Sequence, residues 1–184
     1  MLARYARRFG GEGTIVSLAD GRAFTAAHCV AAVDGCPGTV IVGPGGRQWR
    51  VRRRWSPRGR DLVWLEVVRP CPGHPASRND TRLARPGSLR PGVEVVFHAH
   101  TGQRFVARRA VVVSVSASRA VADVRSPAGV ADGDSGGPVL AGGRLAGIVI
   151  ARLGAPRSAH ASSRLVLTRL DLHGFCTDST RPAF

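Results

Sequence analysis

The chain contains no lysine, so all 27 of its basic residues are arginine. Acidic residues are scarce, 12 in 184 positions, and the formal charge is +15. With abundant Ala, Gly, Val and Pro, this pattern resembles the coding bias of a GC-rich genome. Whatever its origin, so basic a surface attracts anions and nucleic acid and repels itself at low salt. No apolar window is long and uninterrupted enough to cross a bilayer, so no membrane span is expected. Residues 1–13 carry Arg4, Arg7 and Arg8 with no apolar core behind them. That excludes the pattern of a secretory leader, and the segment reads as a basic N-terminal arm with a faint likeness to a transit segment. Four cysteines, Cys29, Cys36, Cys71 and Cys176, do not have zinc-ribbon spacing. Nothing repeats at a fixed period.

What is present is a series of short apolar runs separated by Gly and Pro, which reads as all-β. Strands are expected at 14–18, 22–26, 39–42, 48–52 and 62–67, then at 93–98, 105–115, 120–124, 138–140, 144–151 and 165–170. Between the two sets, 69–92 is rich in Pro, Gly, Arg and Ser and reads as a linker. A short helix or coil is expected at 171–176. Asn79-Asp80-Thr81 fits a glycosylation sequon, a short motif that often occurs by chance. At 43% hydrophobic residues, the chain suits one compact domain or two small barrels sharing a cleft.

Three segments carry chemistry. They are Thr25-Ala26-Ala27-His28-Cys29, Asp61-Leu62-Val63-Trp64-Leu65 and Gly133-Asp134-Ser135-Gly136-Gly137-Pro138-Val139. Each alone has a bland reading: a core histidine, a strand start, a polar turn. Together, in the order His, Asp, Ser, they make a coherent set. A serine hydroxyl is a poor nucleophile at neutral pH and needs a base within hydrogen-bond reach, with a third group orienting that base. The glycines permit the tight backbone that brings two N–H groups to one point.

The three segments resemble those of the trypsin/chymotrypsin-like serine peptidases, and the likeness runs from about residue 14 to residue 170. It implies a double six-stranded antiparallel β-barrel with the active site in the cleft between barrels. The N-terminal barrel would span 14–68, and the C-terminal barrel with its tail 93–184. It implies His28 as general base, Asp61 as its orienting carboxylate and Ser135 as nucleophile, with the N–H groups of Gly133 and Ser135 as oxyanion hole. Leu165-Val166-Leu167-Thr168-Arg169-Leu170 matches the late strand behind the specificity pocket.

The departures from the family are informative. In activated animal members a freed N-terminus pairs with the Asp before the nucleophile. Asp134 is present here without such a terminus, so an internal cation, an arginine, is expected beside it, because a buried unpaired carboxylate is costly. A serine that supports the catalytic Asp in the family is replaced by Ile150. Gly129 stands where arginine-cleaving members have Asp, while Arg152 and Leu165 stand where deep pockets have Gly. With Val130, Ala131, Asp132, Ile150 and Ala151, these residues form the expected substrate-binding set, and a small or acidic residue is expected before the scissile bond. No cysteine precedes Cys29, so the family's bridge to that position is absent; Cys29 and Cys36 could close a short loop.

Cys71, His74, His98 and His100 read as surface or core residues, and neither metal nor cofactor is expected. Arg52-Arg53-Arg54, flanked by Trp49 and Trp55, is either a solvated strand edge or a nucleic-acid-binding patch. The functional expectation is a monomeric serine endopeptidase acting on polypeptide, either a viral polyprotein-processing domain or a bacterial trypsin-like enzyme. Localisation follows the choice: host cytoplasm in the first case, secretion in the second. The alternative of another class is a catalytically weak, Arg-rich RNA-binding module on a peptidase fold.

Overall fold

The computed structural model describes residues 2–6, 12–17, 22–30, 39–42, 48–68, 82–101, 104–125, 129–131, 133–153 and 164–171. Within them the apolar runs become strands. β1 (Leu2–Ala6), β2 (Glu12–Ser17), β3 (Arg22–Thr25), β4 (Thr39–Val42), β5 (Gln48–Trp55) and β6 (Val63–Val68) close into a barrel in the order β1-β2-β3-β6-β5-β4. β7 (Glu94–Thr101), β8 (Arg104–Val115), β9 (Arg119–Val124), β10 (Pro138–Ala141), β11 (Arg144–Leu153) and β12 (Arg164–Arg169) close a second, in the order β10-β11-β12-β9-β8-β7. Paired strands run antiparallel throughout. The fold is therefore all-β, a double six-stranded antiparallel barrel. One helical turn, α1 (Ala27–Val30), follows β3.

Two faces explain two sequence patterns. Along β9 the second, fourth and sixth residues are buried, the period-two signature of a strand with one face in a core. From Leu145 to Ile150, by contrast, β11 is buried on both faces. Ala146 and Val149 pack into the core of the second barrel with Phe97, Val139, Leu165 and Leu167. Leu145 and Ile148 pack the other way, against Val16, Phe24 and Leu62 of the first barrel. That cluster is the seam between the barrels. Fully burying a side chain such as Ile148 stabilises by about 1.5–3 kcal/mol.

The sequence reading needs two corrections. The basic arm expected over 1–13 is not an arm: Leu2–Ala6 is β1, paired in register from Leu2↔Val16 to Ala6↔Glu12, and Arg4↔Val42 closes the barrel. The arginines obscured a strand whose ladder lies with two partners. The segment expected as a linker over 69–92 lies partly outside the described residues, as 69–81. Its remainder belongs to the second barrel's body, with Ala84 and Leu89 buried in that core and Leu83 bridged to Leu145. The sequon at 79–81, His74, Cys36, Cys71 and Cys176 also lie outside the described residues.

Candidate active site

The first barrel carries His28 and Asp61, and the second carries Ser135. β3 ends at Thr25 and the chain makes a single helical turn, with Cys29 N–H donating to the Ala26 carbonyl at 3.1 Å. His28 is carried on that turn. Asp61 follows β5 after a tight turn at 57–60, where Arg60 N–H donates to the Pro57 carbonyl at 3.2 Å and Gly59 takes φ of 73°. Ser56 Oγ donates to the Leu62 carbonyl at 2.9 Å, fastening the turn across Asp61.

The two side chains meet. Asp61 Oδ2 lies 2.5 Å from His28 Nδ1, and Asp61 Oδ1 accepts the His28 backbone N–H at 2.9 Å. Asp61 thus grips ring and backbone of the same residue. That backbone donor is a support for Asp61 besides the ring. The hydrogen bond to Asp61 pushes the His28 imidazolium up to about 10, with a second contribution from Cys29, whose Sγ lies 3.6 Å from Nε2; burial opposes both. Burial is the largest influence on Asp61 and pushes it up, but the hydrogen bonds from the His28 ring and backbone, with the Ala27 backbone, leave it below its ordinary value. Cys29 is a buried free thiol.

Ser135 sits on the loop entering β10. Two glycines shape it, Gly133 at φ 92° and Gly136 at φ 83°, a region that disfavours side chains. Gly136 is also crowded: a Cβ there would lie 1.9 Å from the Thr14 carbonyl oxygen and 2.3 Å from Thr25 Oγ1. The loop is fixed by Gly136 N–H to the Val149 carbonyl at 2.8 Å and Gly137 N–H to the Asp134 carbonyl at 2.9 Å. Asp134 is fully buried, and its Oδ2 accepts the Ala131 N–H at 2.8 Å.

Ser135 lines a cavity of about 270 Å³ with Val130, Ala131, Gly133, Val149, Ala151 and Arg152. Among the described residues, no protein acceptor takes the backbone N–H of Gly133 or of Ser135, and no hydrogen bond joins Ser135 Oγ to the His28 ring. The structure therefore brings His28 to Asp61 directly and leaves Ser135 on the cavity wall.

Of the expected substrate-binding set, Val130, Ala131, Ala151 and Arg152 line the cavity, and Arg152 Nη1 donates to the Val130 carbonyl at 3.3 Å. Asp132 lies outside the described residues. Gly129 is not on the wall; its carbonyl accepts from Arg108 Nη1. Two expectations are corrected. Ile150 points into a buried cluster with Ala26, Cys29 and Val166, because a bulge between Val149 and Ala151 shifts the alternation by one residue. Leu165 is fully buried in the core of the second barrel, on the same face as Leu167.

Sequence reasoning missed Thr14, Thr25 and Arg108. Arg108 lies 8% exposed in β8 and donates to the Gly129 carbonyl, in the segment 129–131 that Asp134 also holds. A charge inside the apolar run 105–115 is the signal that could have found it. Arg52, Arg53 and Arg54 lie in β5, where Arg52 is in register with Glu66, which is also in register with Arg22 of β3. Basic and acidic positions therefore alternate across three strands there. His98 is held below its ordinary value by burial.

The family model described as trypsin-like peptidase domain matches residues 11–148. No curated protein matches the sequence. Among solved structures, a serine protease of a human pathogenic astrovirus is 19% identical, with a TM-score of 0.65 over 92% of this chain and 89% of its own. Rv3671c from Mycobacterium tuberculosis, in an inactive form, is 23% identical with a TM-score of 0.65, over 100% of this chain and 88% of its own. An inactivated protease paralogue of the scabies mite is 15% identical with a TM-score of 0.70, over 92% and 86%. At these identities the likeness shows the fold alone, which working and inactivated members share.

Proposed function

The chain belongs to the trypsin-like peptidase domain family, and from that premise we propose that it is a serine endopeptidase that uses His28, Asp61 and Ser135 on polypeptide substrates. The observation that carries this reading is the doubly held histidine: Asp61 binds both ring and backbone of His28, in a chain whose Ser135 lines a cavity.

The chemistry follows in two halves. Ser135 Oγ attacks the scissile carbonyl carbon as its proton passes to His28 Nε2. The C–N bond then breaks, and His28 returns that proton to the departing amine, leaving an acyl ester on Ser135. Water attacks the ester, giving its proton to His28; Oγ leaves and recovers it. Asp61 holds the ring with Nδ1–H toward itself and stabilises the imidazolium. The N–H groups of Gly133 and Ser135 would receive the oxyanion, a contribution of roughly 3–4 kcal/mol per donor in such sites.

Arg152 on the cavity wall supports a preference for an acidic residue before the scissile bond, and Val130, Ala131 and Ala151 support a small one. A polyprotein-processing role would require cleavage at few sites, chiefly junctions flanking the domain itself.

The decisive experiment is covalent labelling with a fluorophosphonate, read by intact mass. Stoichiometric labelling that disappears in Ser135→Ala is expected. Absence of labelling in folded native protein would sink the proposal.

A further inference from the structure

One residue of the first barrel holds both ends of the loop that presents Ser135. Thr14 is fully buried in β2. Its backbone N–H donates to the Ser135 carbonyl at 2.7 Å, and its Oγ1 donates to the Gly133 carbonyl at 3.1 Å. Its own carbonyl accepts from Thr25 Oγ1 at 2.7 Å, and Thr25 is buried as well. The contact reaches across 119 residues and across the seam between barrels.

The geometry assigns Thr14 as a positioning residue for the oxyanion hole, acting through its hydroxyl on the Gly133 peptide. The argument is one of peptide planes. The Gly133 carbonyl belongs to the peptide between residues 133 and 134, and the Ser135 carbonyl to that between 135 and 136. Thr14 fixes both planes. Between them lies the peptide whose N–H is that of Ser135. The N–H of Gly133 is separated from the first fixed carbonyl by only the two dihedrals of a glycine at φ 92°. A glycine in that region has little intrinsic reason to hold one orientation, so an external donor on its carbonyl decides where its N–H points.

The backbone bond from Thr14 is kept in Val, Ala and Ser variants, whereas the hydroxyl bond is lost in Val and Ala. Removing the hydroxyl also leaves the Gly133 carbonyl without its described donor, which favours rotation of that peptide. The loss falls on the transition state, where negative charge develops on the substrate oxygen, rather than on ground-state binding.

This inference rests on the peptidase reading above. Native protein, Thr14→Val, Thr14→Ser and Thr14→Ala would be compared by fluorophosphonate labelling rate, by kcat and KM on a cleaved peptide, and by thermal melting. A peptide boronate, which forms a tetrahedral anion on a serine, would report the hole directly. In Thr14→Val, kcat, labelling rate and boronate affinity are expected to fall together by roughly tenfold while KM holds, the scale of one lost hydrogen bond. Thr14→Ser should recover most of the loss.

Should Thr14→Val not fold, Ser against Ala at this position isolates the hydroxyl in smaller side chains. Equal rates for Ser and Ala, or a folded Thr14→Val with native rates, would overturn the assignment. Native protein that takes up no label would overturn the peptidase reading and this assignment with it. A labelled native enzyme indifferent to the Thr14 hydroxyl would overturn the assignment alone.

Discussion

Cys29 Sγ lies 3.6 Å from His28 Nε2, the ring nitrogen that would receive the Ser135 proton in the proposed mechanism. The opposite nitrogen is held by Asp61 at 2.5 Å, so both edges of the imidazole have acceptors that favour its charged form. His28 is pushed from 6.5 up to about 10 as a result. An imidazolium cannot accept a proton, so the labelling rate should climb through the neutral range and level off only near pH 10. Cys29→Ala removes one of the two upward contributions, and the midpoint of the labelling profile should move to lower pH. Unchanged profiles in native and variant protein would show that the thiol has no influence on the ring.

The same pair makes an opposite demand on stability. The folded pKa of His28 is raised, so its stabilising contribution is complete below pH 6.5 and is lost as pH rises toward 10. Asp61 is lowered, so its contribution is present above 3.8 and is lost as pH falls through its folded value. Denaturant midpoints across pH should therefore decline on the alkaline side, where labelling accelerates, and Asp61→Asn should flatten that decline. A stability profile in Asp61→Asn identical to native would contradict the linkage.

Gly136 separates strain from collision. Its φ of 83° alone disfavours a side chain, and a Cβ would also meet the Thr14 carbonyl oxygen at 1.9 Å. Gly92 has a similar φ of 85° with open space around it. Gly92→Ala should cost about 1 kcal/mol of unfolding free energy. Gly136→Ala should cost about 3 kcal/mol or more and abolish labelling, since relief requires moving the first barrel off the nucleophile loop. Chemical denaturation of both variants makes the comparison, and equal losses would show that the seam yields easily.

The features legible in the sequence were those whose chemistry is local. The segments that carry the His28–Asp61 contact and the Ser135 loop are each contiguous, and most strand positions followed from apolar runs between Gly and Pro. The barrel order and the Thr14 contacts were not legible, because they join residues distant in the chain. β1 was hidden by its one arginine and by the basic residues that follow it in the sequence: Arg4 is a barrel residue paired to Thr14 and Val42, and composition alone counts it as surface charge. Ile150 and Leu165 were placed at the pocket by position-for-position likeness to the family, which does not report the local course of the strands. The bulge beside Ile150 breaks the alternation, so the side chain faces Cys29 rather than the cavity.

Arg152 offers the sharpest test of substrate preference. It lines the cavity with Ser135 and is itself exposed, with Nη1 on the Val130 carbonyl at 3.3 Å. An exposed cation attracts a carboxylate only weakly through water, so the preference it confers should be modest. In a profiled peptide library, Arg152→Gln should lower kcat/KM for substrates with Asp or Glu before the scissile bond by about three- to tenfold. Substrates with Ala there should be unaffected. Arg152→Glu should go further and admit basic residues at that position, because the charge on the wall is then reversed while Ala131 and Ala151 remain small. A native preference for cleavage after Arg would contradict the assignment outright. A native acidic preference retained in Arg152→Glu would remove Arg152 from that selecting role.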